Sequence, residues 1–375
     1  MDFVKPDYDN CLVNLSNSIL KAFGAEITAP TLEMADKLLD GSYKNVVLLL
    51  MDAMGVAAIE KHLAPDGFLR SHLAGSFSSV FPPTTVAATT SVMSGLYPNE
   101  HGWLGWDMFF PELEKNVTVF LNCDQLVEDK DGDIIEPEPA AEYHVAFRYF
   151  PYKNFVDKIN EAGGKAYFSM PFLEPYPKDL DSILKRVEDL CAEPGNKFIY
   201  SYWNQPDTTM HEFGPDSDTV HELMISLEKR LEEFSLNLKD TLLLITADHG
   251  HMTSINHCIT DYPEITKCLE RMPSVEPRAL SFFVKDEYKD EFPEIFRNTF
   301  KDKFVLLTKE EVISQRIFGT GKDNPRLRDS IGDYLAISIA DESVFATHKE
   351  ASLMPGGHAG LTKAELEIPL IAVSL

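Results

Sequence analysis

Short, wholly apolar runs alternate along the chain with longer stretches in which apolar positions recur at helical spacing. The runs Asn45–Met51 (NVVLLLM), Lys165–Ser169, Lys197–Tyr202 (KFIYSY), Thr241–Thr246 (TLLLIT), Leu280–Val284 and Pro369–Val373 read as strands. Several are apolar at consecutive positions, as expected for strands covered on both faces. Between them, Asn154–Ala162, Leu180–Cys191 and Asp218–Leu236 carry the i, i+3, i+4 pattern of amphipathic helices. This alternation predicts an α/β fold with a mostly parallel central sheet and helices on both faces. Two regions break the rhythm. Residues 106–150 are rich in acids and prolines (EPEPAAEYH), and 273–350 contain DEYKDEFPEIF and a GTGKDNP turn; both read as inserted cap segments within a single domain spanning 1–375.

Composition narrows the class. The 375 residues are 44% hydrophobic and 25% charged, an ordinary globular balance, and no repeat period suggests a solenoid or propeller. With 34 basic residues against 60 acidic ones the net charge is −26, which repels polyanions and argues against a long nucleic acid as partner. Most of that acid reads as a solvated surface. Five scattered cysteines, Cys11, Cys123, Cys191, Cys258 and Cys268, include no C-x-x-C pair and suggest neither a disulfide framework nor a zinc ribbon. The N-terminal stretch has acids among its apolar residues and does not read as a signal peptide, and no apolar run is long enough for a bilayer. A soluble, cytoplasmic protein without membrane contact is expected; oligomeric state is not legible.

The chemistry-bearing side chains follow the strand pattern. Asp52 follows the first strand, Asp207 follows KFIYSYW, Asp248 and His249 follow TLLLIT, and His358 precedes the last strand. In an open α/β sheet ligands collect beyond the carboxyl ends of strands. Asp and His suit zinc or a similar divalent ion. A lone Asp after a strand is more often a cap or turn residue, and the Asp207-x-x-x-His211 spacing is common by chance. The set is informative where its members are not.

A second segment, Phe81-Pro82-Pro83-Thr84-Thr85-Val86-Ala87-Ala88, reads as a loop opening a helix, with Thr84 or Thr85 near its N-terminus. An N-cap threonine is one reading. The other is a hydroxyl nucleophile at a helix end whose N–H groups welcome a phosphoryl oxygen.

These residues resemble those of the alkaline phosphatase superfamily, in particular its nucleotide pyrophosphatase/phosphodiesterase branch. The resemblance rests on LLLMDAMG around Asp52, FPPTTVAATTSVMSGLYPNEHG around Thr85, Asp207-x-x-x-His211 followed by Glu212-Phe213-Gly214, TADHGHM around Asp248 and His249, and GGHAG around His358. It implies an alkaline phosphatase-like catalytic domain with two divalent ions, zinc in the first instance and manganese also compatible. One would be held by Asp207, His211 and His358, the other by Asp52, Asp248, His249 and the nucleophile. The family register selects Thr85, ten residues before Gly95, over Thr84.

The resemblance implies in-line attack by Thr85, a phospho-threonine intermediate and a small phosphate-ester substrate, with a nucleotide among the candidates. The branch's phosphate-binding Asn has no counterpart in His101–Asp107, so diester and monoester substrates both stay open. His358 lies in GGHAGLTKAELEIPL, a context nearer to other bacterial superfamily members. The alternatives are a phosphomonoesterase, phosphonate hydrolase or phosphomutase of the same superfamily, and an inactive phosphoryl-binding regulatory protein. A sulfatase is disfavoured by the missing C/S-x-P-x-R pattern. His251 reads as an extra imidazole near the metals, either supporting a ligand or merely adjacent. Trp103, Trp106, Phe109 and Phe110 read as local core before a platform for a flat leaving group.

Overall fold

The computed structural model describes residues 4–375. Its central sheet has six strands in the spatial order Leu73–Ser78, Glu367–Ser374, Thr241–Thr246, Asn45–Met51, Lys197–Trp203, Ala166–Ser169. The four strands from Thr241–Thr246 to Ala166–Ser169 run parallel, and Glu367–Ser374 runs antiparallel to both of its neighbours. Every residue of Asn45–Met51 and Thr241–Thr246 is buried, which is why these segments are apolar without alternation. Helices Leu12–Ala22, Thr85–Ser94 and Phe155–Glu161 pack together as one group, and Asp218–Ser235 packs with Val56–His62 and Phe68–Ser71 as another. Side chains end the helices where the sequence suggests: Asn154 accepts from the Asp157 N–H, and Ser217 from the Val220 N–H.

A second sheet of seven strands lies outside this pattern. Its order is Phe304–Thr308, Tyr334–Ser338, Ala279–Phe282, Ser274–Glu276, Asp107–Phe110, Lys115–Thr118, Cys123–Asp124, and all its pairings are antiparallel. The regions 106–150 and 273–350 thus meet in one sheet, through the pairing of Val275 with Asp107. The Leu280–Val284 run, expected in the parallel alternation, corresponds to Ala279–Phe282 of this antiparallel sheet. A short buried run carries no mark of which sheet covers it, so the apolar pattern alone assigns it to the wrong partner. The second sheet has its own apolar support. Phe292, Phe296 and Phe300 recur every fourth residue on helix Phe292–Phe300 and pack with Phe282 and Phe304. Each such buried ring contributes about 1.5–3 kcal/mol.

One ion pair ties the two sheets together. Arg278, between two strands of the second sheet, is fully buried, and its Nε donates to Glu365 Oε1 at 2.7 Å. Its Nη2 donates to Glu365 Oε2 at 3.1 Å and to the Ala340 carbonyl at 2.8 Å. Glu365, next to the last central strand, also accepts from the Gly360 N–H at 2.7 Å and the Thr362 hydroxyl at 2.6 Å. Removing the guanidinium strands a buried carboxylate. We therefore expect Arg278→Ala to lower unfolding free energy by about 3–5 kcal/mol; a loss below about 1 kcal/mol in urea titrations would contradict this account of the pair.

His101 is a second buried polar anchor. Its Nε2 meets the Ser91 hydroxyl at 3.0 Å and its Nδ1 accepts from the Trp103 N–H at 3.0 Å, which fixes a neutral ring. Burial lowers its pKa to about 3 from an ordinary 6.5. Because the folded-state value lies below the unfolded one, the unfolded chain takes up the proton first, and stability is lost as pH falls from about 6.5 towards 3. By pH 4 this residue alone should cost about 3 kcal/mol. The deficit of His101→Gln relative to the parent should therefore shrink between pH 7 and pH 4; parallel stability curves would show that His101 does not titrate this way.

Candidate active site

Four loops converge beyond the carboxyl ends of the parallel strands. Asp52 directly follows Asn45–Met51, and Asp248 and His249 follow Thr241–Thr246. Asp207 opens helix Asp207–Phe213, so that His211, one turn later, faces it with Nε2 at 3.4 Å from Asp207 Oδ1. His358 follows the short strand Gly356–Gly357. In the sequence Asp-His-Gly the glycine is required. A Cβ on Gly250 would lie 1.9 Å from the Ala364 carbonyl oxygen, which closes the loop onto its neighbour.

Five of the seven residues expected at the site form two overlapping groups, and Thr85 and Asp248 lie beside them. Asp207, His211 and His358 offer ligand atoms within 4.8 Å of one another, as do Asp52, Asp207 and His249. Asp248 Oδ2 is 3.7 Å from His249 Nε2, and His249 Nε2 is 3.3 Å from Asp52 Oδ1. Thr85 Oγ1 stands 3.4 and 3.5 Å from the two Asp52 oxygens and 3.3 Å from His249 Nε2.

Thr85 is the first residue of helix Thr85–Ser94, and Thr84 occupies the cap position without a side-chain capping bond. The Thr84 hydroxyl donates instead to Glu276 Oε1 at 2.6 Å. The two threonines thus face different partners: one joins the Asp/His cluster and the other anchors the loop.

The histidines share a design. His211 Nδ1 faces the Gly356 carbonyl at 3.1 Å, His249 Nδ1 the Gly250 carbonyl at 3.0 Å, and His358 Nδ1 the Pro83 carbonyl at 3.1 Å. A carbonyl only accepts, so each Nδ1 carries a proton and each Nε2 is turned towards the cluster. This is how metal-binding imidazoles are held. Burial also lowers the His211 pKa to about 4 and that of His358 well below its usual value, which keeps both neutral.

The carboxylates show the complementary strain. Burial first, and then the Asp52 charge, raise the pKa values of Asp207 and Asp248 well above the ordinary value. Burial works to lower the His249 pKa, yet Asp248, Asp52 and Asp207 together lift it to about 10. Asp207 Oδ1 and Asp248 Oδ2 are buried without a hydrogen-bond partner. Unpaired buried carboxylate oxygens beside the neutral imidazoles of His211 and His358 fit divalent cations well, and a bound cation would take the place of the proton on His249.

Three further residues complete the surroundings. The Tyr202 hydroxyl donates to Asp52 Oδ2. Glu276 accepts from both Thr84 and the Trp106 N–H, the latter at 2.7 Å, and burial raises its pKa to about 7. His251 lies against the cluster: its Nε2 is 3.7 Å from Asp207 Oδ1, and neither ring nitrogen has a hydrogen-bond partner. Tyr202 lies in the strand that leads to Asp207, a placement that could have flagged it; Glu276 depends on the second sheet and left no local signal. Of the aromatic group, Trp103, Phe109 and Phe110 are buried, and Trp106 alone is exposed, at 39%.

The family model for type I phosphodiesterase / nucleotide pyrophosphatase matches residues 46–358. Human ectonucleotide pyrophosphatase/phosphodiesterase family member 5 is 26% identical over 183 residues, which is 46% of this chain and 37% of that relative, so the match spans well under half the relative's length. Among solved structures, an inactive form of the murine protein of that type in complex with AMP is similar with a TM-score of 0.64, at 15% identity and 87% coverage of both chains. Phosphonoacetate hydrolase from Sinorhizobium meliloti in complex with phosphonoformate has a TM-score of 0.59 at 14% identity, covering 88% of this chain and 90% of its own. At such identities the structures establish the fold alone. The match over residues 46–358 establishes more: the chain belongs to the type I phosphodiesterase / nucleotide pyrophosphatase family of phosphoric ester hydrolases.

Proposed function

We propose that this protein hydrolyses a small phosphodiester or nucleotide pyrophosphate through Thr85, with two divalent ions, zinc first and manganese as the alternative, held by the Asp/His cluster. The observation that carries the reading is the contact of Thr85 Oγ1 with Asp52 and His249 beside a second ligand group centred on Asp207. Asp207, His211 and His358 would hold one ion, and Asp52, Asp248, His249 and Thr85 the other. Such ions, when bound, supply charge neutralisation and a lowered hydroxyl pKa.

The remaining work falls to the chain. Thr85 loses its hydroxyl proton within the cluster and attacks phosphorus: the Oγ–P bond forms as the bond to the leaving ester oxygen breaks. Water then attacks the phospho-threonine, the Oγ–P bond breaks, and Thr85 regains its proton. The N-terminal end of helix Thr85–Ser94, free of a side-chain cap, favours the phosphoryl oxygens. Glu276 holds Thr84 aside and so fixes the loop on which Thr85 sits. The AMP complex of the murine relative supports a nucleotide-like ligand for this chain. The five cysteines are all free, which supports a cytoplasmic location. No helix among the described residues is long and apolar enough to cross a membrane.

A monoester or phosphonate reading is favoured by one feature. The 101–107 stretch offers no Asn, and Asp107 is engaged by the Thr118 hydroxyl at 2.6 Å and the Gln125 amide at 3.2 Å. Comparing kcat/KM for bis(p-nitrophenyl) phosphate and p-nitrophenyl phosphate tests the two. The diesterase reading expects at least a tenfold preference for the diester, about 1.4 kcal/mol; a preference of that size for the monoester reverses it.

A further inference from the structure

Glu128, Cys258 and His348 come from three separate segments and offer ligand atoms within 4.8 Å of one another. Glu128 ends one strand of the ribbon formed by Val127–Glu128 and Ile134–Ile135; Cys258 ends strand Ile255–Cys258; His348 opens helix His348–Leu353. The cluster shares no residue with the Asp/His group described above, and it contains a sulfur, which that group lacks. We propose that it is a third metal site, taking a thiophilic divalent ion of the zinc class in a structural role.

Its geometry supports four-coordination. Cys258 Sγ is 3.6 Å from Glu128 Oε1. With metal–sulfur and metal–oxygen distances of about 2.3 and 2.1 Å, a tetrahedral site places those atoms about 3.6 Å apart. Thr260 Oγ1 lies 2.9 Å from Glu128 Oε1 and 3.0 Å from Cys258 Sγ, a position from which the hydroxyl, or water in its place, can complete the shell. His348 Nδ1 is 2.7 Å from Glu128 Oε1, and this edge and the two Thr260 edges must open to about 3.4–3.6 Å around an ion. The imidazole is 55% exposed and can swing outward, whereas the Glu128 side chain is only 3% exposed.

A second observation concerns orientation. His348 Nε2 donates to Asp261 Oδ1 at 3.0 Å, which turns Nδ1 towards Glu128 and Cys258, where it can ligate once its own proton is lost. A carboxylate behind a histidine is the usual support for a metal-binding imidazole. On binding, the Cys258 thiol releases its proton, as does His348 where it is charged, and metal–sulfur, metal–nitrogen and metal–oxygen bonds form with no change of oxidation state. The ion would fasten the 127–135 ribbon to the parallel pair of strands Ile255–Cys258 and Glu342–Phe345.

Cobalt(II) separates this site from the catalytic one, since only a thiolate ligand produces an intense near-ultraviolet sulfur-to-cobalt charge-transfer band. The full-length protein, stripped and reloaded with cobalt, is expected to show this band and to bind about three ions per chain. Cys258→Ser should abolish the band and lower the count to about two, with hydrolysis of bis(p-nitrophenyl) phosphate unchanged. His348→Ala, at an exposed position, gives the same test should the cysteine variant fold poorly; it should weaken cobalt binding at this site at least tenfold. Absence of the band in the parent protein at saturating cobalt, or its persistence in Cys258→Ser, overturns the proposal. Neither result touches the phosphohydrolase reading, which fails instead if activity is absent while the band is present.

Discussion

Thr85→Ala is expected to lower turnover of an activated phosphodiester at least about a thousandfold while leaving metal content unchanged. The substitution removes the atom that would bond to phosphorus but none of the buried carboxylates or imidazoles. Thr84→Ala is the matched control. Its hydroxyl is spent on Glu276 Oε1, so its loss should loosen the loop and cost roughly tenfold or less. Rapid quenching with a radiolabelled phosphodiester should trap label on the parent protein and none on Thr85→Ala. Full activity in Thr85→Ala, or a larger loss in Thr84→Ala, would transfer the nucleophile to the neighbouring residue.

Chelation should have an equally large effect, on two observables at once. Asp207 Oδ1 is the point on which His211, His251 and His358 converge, at 3.4, 3.7 and 3.8 Å. Removing cations should abolish activity and lower Tm, because Asp52, Asp207 and Asp248 are then left to repel one another in a buried site. The pH dependence of the stripped protein has a definite sign. Burial and the Asp52 charge raise the Asp207 and Asp248 pKa values above the unfolded 3.8, so stability present at low pH is lost as pH rises above about 4. Adding zinc or manganese should restore it. Asp207→Asn should lose at least a thousandfold in activity, yet in the absence of metal it should be more stable than the parent near neutral pH. Calorimetry with and without chelator measures both effects; unchanged activity in fully stripped protein would refute the metal-dependent mechanism.

How much of this was legible in the sequence follows from the range of the interactions. Asn45–Met51 and Thr241–Thr246 are recognisable because burial on both faces writes itself as an unbroken apolar run. The residues that follow such strands are placed by that fact at one edge of the sheet, so the sequence could nominate Asp52, Asp248 and His249 as neighbours. Asp207 and His211 share a helical turn, which spacing alone conveys.

Glu276 is different. It reaches Thr84 across 192 residues through an antiparallel sheet whose strand partners have no periodic signature. For the same reason the Leu280 run was assigned to the central sheet. His251 was visible as an imidazole next to the cluster, but its approach to Asp207 depends on how the loop after His249 folds, which is set by contacts such as that of Gly250 with Ala364.

The Arg278–Glu365 pair constrains any shortened version of this protein. Trimming 273–350 would appear to free a self-sufficient core, since the parallel strands and six of the seven clustered residues precede it. Yet the guanidinium leaves with the excised piece, and the carboxylate it satisfied also organises the turn just after His358 through Gly360 and Thr362. The clustered residues and the inserted strands are thus one mechanical unit, and a shortened chain must keep the strands that flank Arg278 even where it gives up the outer ribbon.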